Sequence, residues 1–343
     1  MKHYRIRRCH ALLLTTAWLL QVFVGELHAQ DPRLSQYFNS PMTVNPAFIG
    51  RQVSDWCAMA CYRSQWAGDG SQPFSTTTAS LEKNLSGENN HNILGMGLMF
   101  LTDASNGGVL KRNYLSLGVS YHNALDAEGR QFLAGGLTLN YTNRMLDQTK
   151  FQFQSQFGSN GYQPGMAAND GAAIPENNYV DLNAGLYYSI HSARSDFYIG
   201  AGYFHAGKPK ESAYANTDFA VDPRLSLQAG FEIKLGATEN RLAISNIFDQ
   251  QGESSLYTLG MVYRLAVSGS ELGIRSLNLG IWDRFGDAVY PYLGIEANNW
   301  LLGLSYDAIT SRVATTAMQS FELSLACRFG SKKTTQHNRL LSY

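Results

Sequence analysis

The sequence predicts an all-β fold: a transmembrane antiparallel β-barrel of about 14 strands preceded by an irregular N-terminal segment. Three observations carry this expectation. From Asp55 onward, stretches of about 8 to 12 residues alternate apolar with small or polar side chains, and Gly, Asn, Asp and Ser separate them. Charged residues make up 16% of the chain, against about 25% in a soluble domain, while Tyr (19) and Gly (32) are abundant. Finally, the connections sort by length: alternate ones are short, and the two longest fall in the other set.

Residues 1–29 read as a secretory signal peptide. Lys2, Arg5, Arg7 and Arg8 precede an apolar stretch from Ala11 to Val24, and Leu27–His28–Ala29 offers a cleavage point before Gln30. A signal anchor is the alternative, but the stretch is short for a spanning helix. Residues 30–54 form the irregular segment. Pro32, Pro41 and Pro46 remove backbone donors, so this stretch has no place inside a sheet. Its apolar Leu34, Tyr37, Phe38, Met42, Val44 and Phe48 nevertheless need cover. A lumen plug, a docking arm at the periplasmic mouth and a flexible leader are the three readings.

The barrel is assigned to residues 55–329. Strands are expected to begin near Asp55, Phe74, Ile93, Arg112, Phe132, Val180, Ser195, Arg224, Asn240, Ser255, Ile274, Tyr290, Trp300 and Met318. In one of them Leu115, Leu117, Val119 and Tyr121 share a face, opposite Ser116, Gly118 and Ser120. In another, Val180, Leu182, Ala184, Leu186, Tyr188 and Ile190 oppose Asp181, Asn183, Gly185 and Ser189. The second strand is weak, because Phe74–Lys83 is polar on both faces. The last alternates Phe321, Leu323, Leu325, Cys327 and Phe329 and closes the barrel against the first near Trp56–Tyr62, which makes Phe329 an assembly residue. Residues 330–343 form a periplasmic polar tail. An even strand count places both mature termini in the periplasm, with 143–179 and 205–223 outside.

Several chemistries find no footing. A formal net charge of zero gives no basic footprint for nucleic acid. Cys57, Cys61 and Cys327 read as packing residues rather than a disulfide framework. His91, His122, His191, His205 and His337 show no metal-ligand spacing, and no hydrolase or phosphate-loop motif occurs. Asp55, Asp283, Asp307 and Glu322 offer a catalytic pair at a barrel mouth, but lumen charges paired with Arg264, Arg284 or Arg328 are the favoured reading. No enzyme, metal or cofactor is expected.

The segment's own text resembles a family. Asp31, Pro32, Ser35, Gln36, Tyr37, Pro41, Asn45, Pro46, Ala47 and Gly50 fit the DPxxSQYxxxPxxxNPAxxG pattern of the PorP/SprF outer-membrane proteins of type IX secretion and gliding motility. Tyr62–Trp66, Asp181–Tyr188 and Gly280–Ser311 are also similar to that family, whereas Ala67–Gly70 departs from it. The resemblance implies an outer-membrane barrel whose partners are type IX secretion components and exported or surface protein domains, such as adhesins. It makes Asp31, Pro32, Ser35, Gln36, Tyr37, Pro41, Asn45, Pro46, Phe48 and Gly50 the candidates for partner binding or plugging. A porin or hydrophobic-solute transporter is the rival from another class.

Overall fold

The computed structural model describes residues 31–51, 54–68, 72–85, 91–147, 150–151, 153–163, 165–166, 177–211, 220–311 and 319–332. The proposed signal peptide and the tail after Lys332 lie outside them. Among the described residues, fourteen antiparallel strands close into one barrel in sequential order. They are β1 (Ser54–Ala67), β2 (Phe74–Asn84), β3 (Ile93–Ser105), β4 (Leu110–Ala124), β5 (Gln131–Leu146), β6 (Asn177–His191) and β7 (Ser195–Phe204). The ring continues with β8 (Arg224–Lys234), β9 (Arg241–Gln251), β10 (Ser254–Ala266), β11 (Ile274–Arg284), β12 (Ala288–Ala297), β13 (Trp300–Ile309) and β14 (Gln319–Lys332).

Every expected strand is present, but several run longer than foreseen, β5 reaching 16 residues. The ladder continues past the lipid-facing band because pairing backbone needs only a partner strand, not apolar side chains. The same reason rescues β2. Its outward Thr77, Ala79 and Leu81 make a weak apolar face, yet it is bonded to β1 and β3 along its length.

Alternation decides the faces. Leu115, Leu117, Val119 and Tyr121 are exposed outward, as are Val180, Leu182 and Leu186, whereas Ser116, Ser120, His122, Asp181 and Asn183 point inward and are buried. This inverts a soluble protein: the apolar belt faces lipid and the polar face lines the interior. Cys57 and Cys61 face inward as free thiols, and Cys327 is half-buried. At the seam, Trp56 pairs with Phe329 across β1 and β14, and their rings stack 6.3 Å apart at 4°. The long connection, expected over 143–179, is narrowed by β5 and β6 to 147–176, and it holds a 3-10 turn (Gln154–Gln156) and a small hairpin pairing Phe157–Gly158 with Gly161–Tyr162.

Candidate functional site

The barrel interior is occupied by the chain's own N-terminal segment. With its donors reduced by proline, the segment folds as three 3-10 turns: Tyr37–Asn39, Pro41–Thr43 and Pro46–Phe48. Pro41 and Pro46 stand at the first position of their turns, where a missing N–H leaves nothing unsatisfied. Asn45 caps the third turn by accepting from Ala47 N–H at 2.9 Å.

Wall side chains supply the hydrogen bonds that a ladder would have provided. The Glu322 carboxylate accepts from Ser35 N–H (2.7 Å) and Gln36 N–H (2.8 Å), one oxygen each. Asp307 accepts from the Ser35 hydroxyl at 2.9 Å. The Gln36 amide donates to Glu322 O, and Tyr37 Oη lies 2.8 Å from Ser245 Oγ. Asn45 Nδ2 donates to Leu186 O and Gln228 Oε1, both at 3.0 Å. At the lower end Glu82 accepts from Gly50 N–H, Ser120 Oγ donates to Ile49 O, and His122 Nε2 lies 2.9 Å from the same carbonyl. Neutral bonds of this kind contribute about 0.5–1.5 kcal/mol each, and those to a charged group about 1.5–3 kcal/mol. Apolar contacts fill the rest: Phe38 stacks on Trp282 (5.2 Å), and Phe48 meets Tyr187 edge-on (5.2 Å) beneath the Arg51 guanidinium.

The wall is cut to receive this segment. Inward-facing glycines lie where the segment approaches most closely, with backbone at Gly136 and Gly202 and with side-chain amide oxygens at Gly185 and Gly303. A Cβ at Gly185 would collide with Asn45 Oδ1, and one at Gly136 would stand 2.5 Å from Ala47 N. Gly202 faces Val44 O and Gly303 faces Gln36 Oε1 in the same way. In a strand such glycines mark close backbone approach. Gly50 adds a positive φ of 71° and would drive a Cβ into Gly95. It turns the chain from the lumen toward β1.

The segment runs the length of the lumen. Gly50 lies beside Glu82, Asn84 and Gly95, at the end bearing the short turns such as Asn298–Asn299. Asp31 lies at the opposite mouth, with the long 147–176 and 205–223 connections. There Asp31 N–H donates to Gln251 Oε1, and its carboxylate meets His205 Nε2 (2.9 Å) and Arg224 Nε (3.2 Å). His205 Nδ1 meets Asp181 at 2.7 Å. Burial alone lowers the His205 pKa, but the Asp31 and Asp181 carboxylates outweigh it and raise the value to about 9. Burial works against the Asp31 charge, yet His205 and Arg224 hold that carboxyl well below its ordinary range. The expectation that both mature termini share the short-turn end is therefore corrected. The first described residue sits at the other mouth, because the segment threads the barrel before β1 begins.

The structure gathers all ten sequence-predicted segment residues in the lumen, with Ser35, Gln36, Tyr37, Asn45 and Phe48 buried. Phe329 stands apart on the outer seam. The wall partners Glu82, His122, Asp181, His205, Arg224 and Gln228 were not singled out by sequence as a site; inward placement in the alternation was the one signal for five of them, and His205, past the end of β7 with a φ of 57°, had none. Of the four acidic candidates, Asp307 binds Arg284 (2.8 Å) as expected and Arg63 (2.9 Å) in addition. Glu322 is taken by backbone N–H groups instead, Arg328 pairs with Glu296, and Asp283 falls in the outward register of β11.

Residues 26–327 match the family described as "Type IX secretion system membrane protein PorP/SprF". The chain belongs to the PorP/SprF family. It is a type IX secretion system membrane protein built as an outer-membrane β-barrel. No curated protein matches this PorP/SprF chain. Among solved structures it is similar to the CymD monoaromatic hydrocarbon channel, at 12% identity and a TM-score of 0.48 over 89% of this chain and 96% of that one. The P. putida toluene transporter TodX has 10% identity and a TM-score of 0.47, covering 84% and 93% of the two chains. A Pseudomonas aeruginosa FadL homologue has 12% identity and a TM-score of 0.43, covering 83% and 93%.

Proposed function

We propose that this PorP/SprF protein is a plugged, non-enzymatic barrel that binds exported or surface protein domains, adhesins among them, or periplasmic partners of the secretion machinery. The supporting observation is the lumen: residues 31–51 fill it and are fastened at both mouths, by Asp31 to His205 and Arg224 and by Gly50 to Glu82. A lumen so occupied favours contact with proteins over steady passage of solutes. The carboxylates Asp307 and Glu322 act in this reading as fasteners for Ser35 and Gln36 rather than as a catalytic pair.

Two measurements on the wild-type protein test the reading. In planar bilayers it should show no steady conductance. In crosslinked native outer membranes it should capture type IX secretion components or exported domains. Steady porin-like conductance without protein capture would establish the transporter alternative.

A further inference from the structure

Beyond the N-terminal end of the plug, at the long-connection mouth, lies a cavity of ≈ 600 Å³. Its lining divides in two. Pro32, Trp66, Phe74, Leu110 and Leu256 provide an apolar side, with the Trp66 and Phe74 rings 5.2 Å apart. Arg33, Arg63, Arg112 and Arg284 provide a cationic side, interspersed with Asp31, Asp103 and Asp287.

Most of these charges are already committed. Arg284 Nε binds Asp287 at 2.6 Å, Arg112 Nε binds Glu211 at 3.1 Å, Asp31 binds His205 and Arg224, and Asp103 accepts from Thr76. Arg63 donates to Arg33 O and to Asp307, a carboxylate it shares with Arg284. Its Nε has no acceptor.

Arg33 differs from all of them. Its side chain is only 13% exposed, and its one ion pair is a 3.8 Å approach to Asp249, beyond hydrogen-bond length. Nε and Nη2 are closed off without an acceptor. Among the described residues no hydrogen bond satisfies this guanidinium. A buried donor group left in that state costs about 1–3 kcal/mol, more when charged. Nη1 is the guanidinium nitrogen that is not closed off, and from it a charged N–H can donate to one oxygen of a carboxylate in a charge-assisted bond.

We infer that this cavity is a binding site for a monoanionic carboxylate carried on a partly apolar body, with Arg33 as its principal ligand. Asp31, Asp103 and Asp287 in the same lining disfavour a dianion such as phosphate by like-charge repulsion. The Trp66–Phe74 side takes the apolar part. The free end of a polypeptide and a small organic acid share this chemistry. The assignment does not depend on which partner the barrel serves.

The test uses the full purified barrel in detergent, with a fluorescent peptide ending in a free carboxylate, the same peptide amidated, and phenylacetate as competitor. The acid peptide should bind about tenfold more tightly than the amide, one charge-assisted pair being lost. Arg33→Gln should remove that difference and Arg33→Lys should restore part of it, both variants remaining heat-modifiable. Displacement by phenylacetate identifies a site for free acids; binding of the peptide without displacement identifies a chain-end site, and either supports the assignment. Equal binding of acid and amide, an unchanged preference in Arg33→Gln, or no binding of any probe would overturn it.

Discussion

Replacing Gly185 by valine should unseat the plug and leave the barrel standing. Gly185 faces inward on β6, paired with Gly136 and Gly202 on its neighbours. A Cβ there would collide with Asn45 Oδ1 and lie 2.9 Å from Ala47 N and 3.0 Å from Pro46 Cδ. The nearest atom, Asn45 Oδ1, belongs to a side chain, but it is pinned by Ala47 N–H, and the Ala47 backbone nitrogen stands directly behind it. Moving Asn45 forfeits its bonds to Ala47 N–H, Leu186 O and Gln228 Oε1. At about 1 kcal/mol net each, this amounts to about 3 kcal/mol, or more than a hundredfold in the seated-to-unseated ratio. The ladder bonds of β6 are untouched, and valine suits a strand better than glycine does. We expect Gly185→Val to insert normally and remain heat-modifiable. It should also admit protease to residues 31–51 and open measurable conductance in planar bilayers. Gly135→Ala is the control: a Cβ there meets only Leu186 at 4.0 Å on the outer face, so nothing should change. If Gly185→Val matched wild type in conductance and protease resistance, the fitted-wall account would be wrong.

Three other outcomes follow from the geometry. An epitope inserted between Gln30 and Asp31 should be labelled on intact cells together with one near Gly165, while one near Ala237 should need permeabilised cells; an N-terminal tag that follows the Ala237 tag would refute the threading direction. The His205 contact, with its pKa raised from 6.5 to about 9, should hold fully below about pH 6.5 and weaken as pH rises through about 9. Asp31, held below its ordinary value, keeps its share above about pH 4 and loses it on further acidification. Protease access to the Asp31 end should thus increase above pH 9 in wild type, and that alkaline step should vanish in His205→Gln; a step of equal size in both would exclude His205. Phe329→Ala removes the ring stacked on Trp56 across the seam, a pair contributing about 0.5–1.5 kcal/mol beyond its buried area, so the heat-modifiable fraction should fall modestly; equal insertion of variant and wild type would dismiss Phe329 as an assembly residue.

The period-2 alternation of this sequence determined the strands and their faces. Leu115, Leu117 and Val119 had to lie opposite Ser116 and Ser120, because successive side chains of any strand point to opposite sides. The prolines at 32, 41 and 46 likewise kept residues 30–54 out of the ladder. Tertiary structure alone decided what those prolines left open. Ser35 meets Glu322 and Asn45 meets Gln228 across separations of 287 and 183 residues, and alternation states that a residue faces inward without stating what it faces. Gly185 carries the same ambiguity, since in sequence a glycine in a strand weakens the strand as readily as it marks a close approach. The threading direction was hidden for a related reason. An even count of strands fixes the two ends of the ladder at one mouth, but the lumen segment forms no ladder and is missing from that count. Its bonds to His205, Arg224 and Gln251 carry the chain back to the opposite mouth.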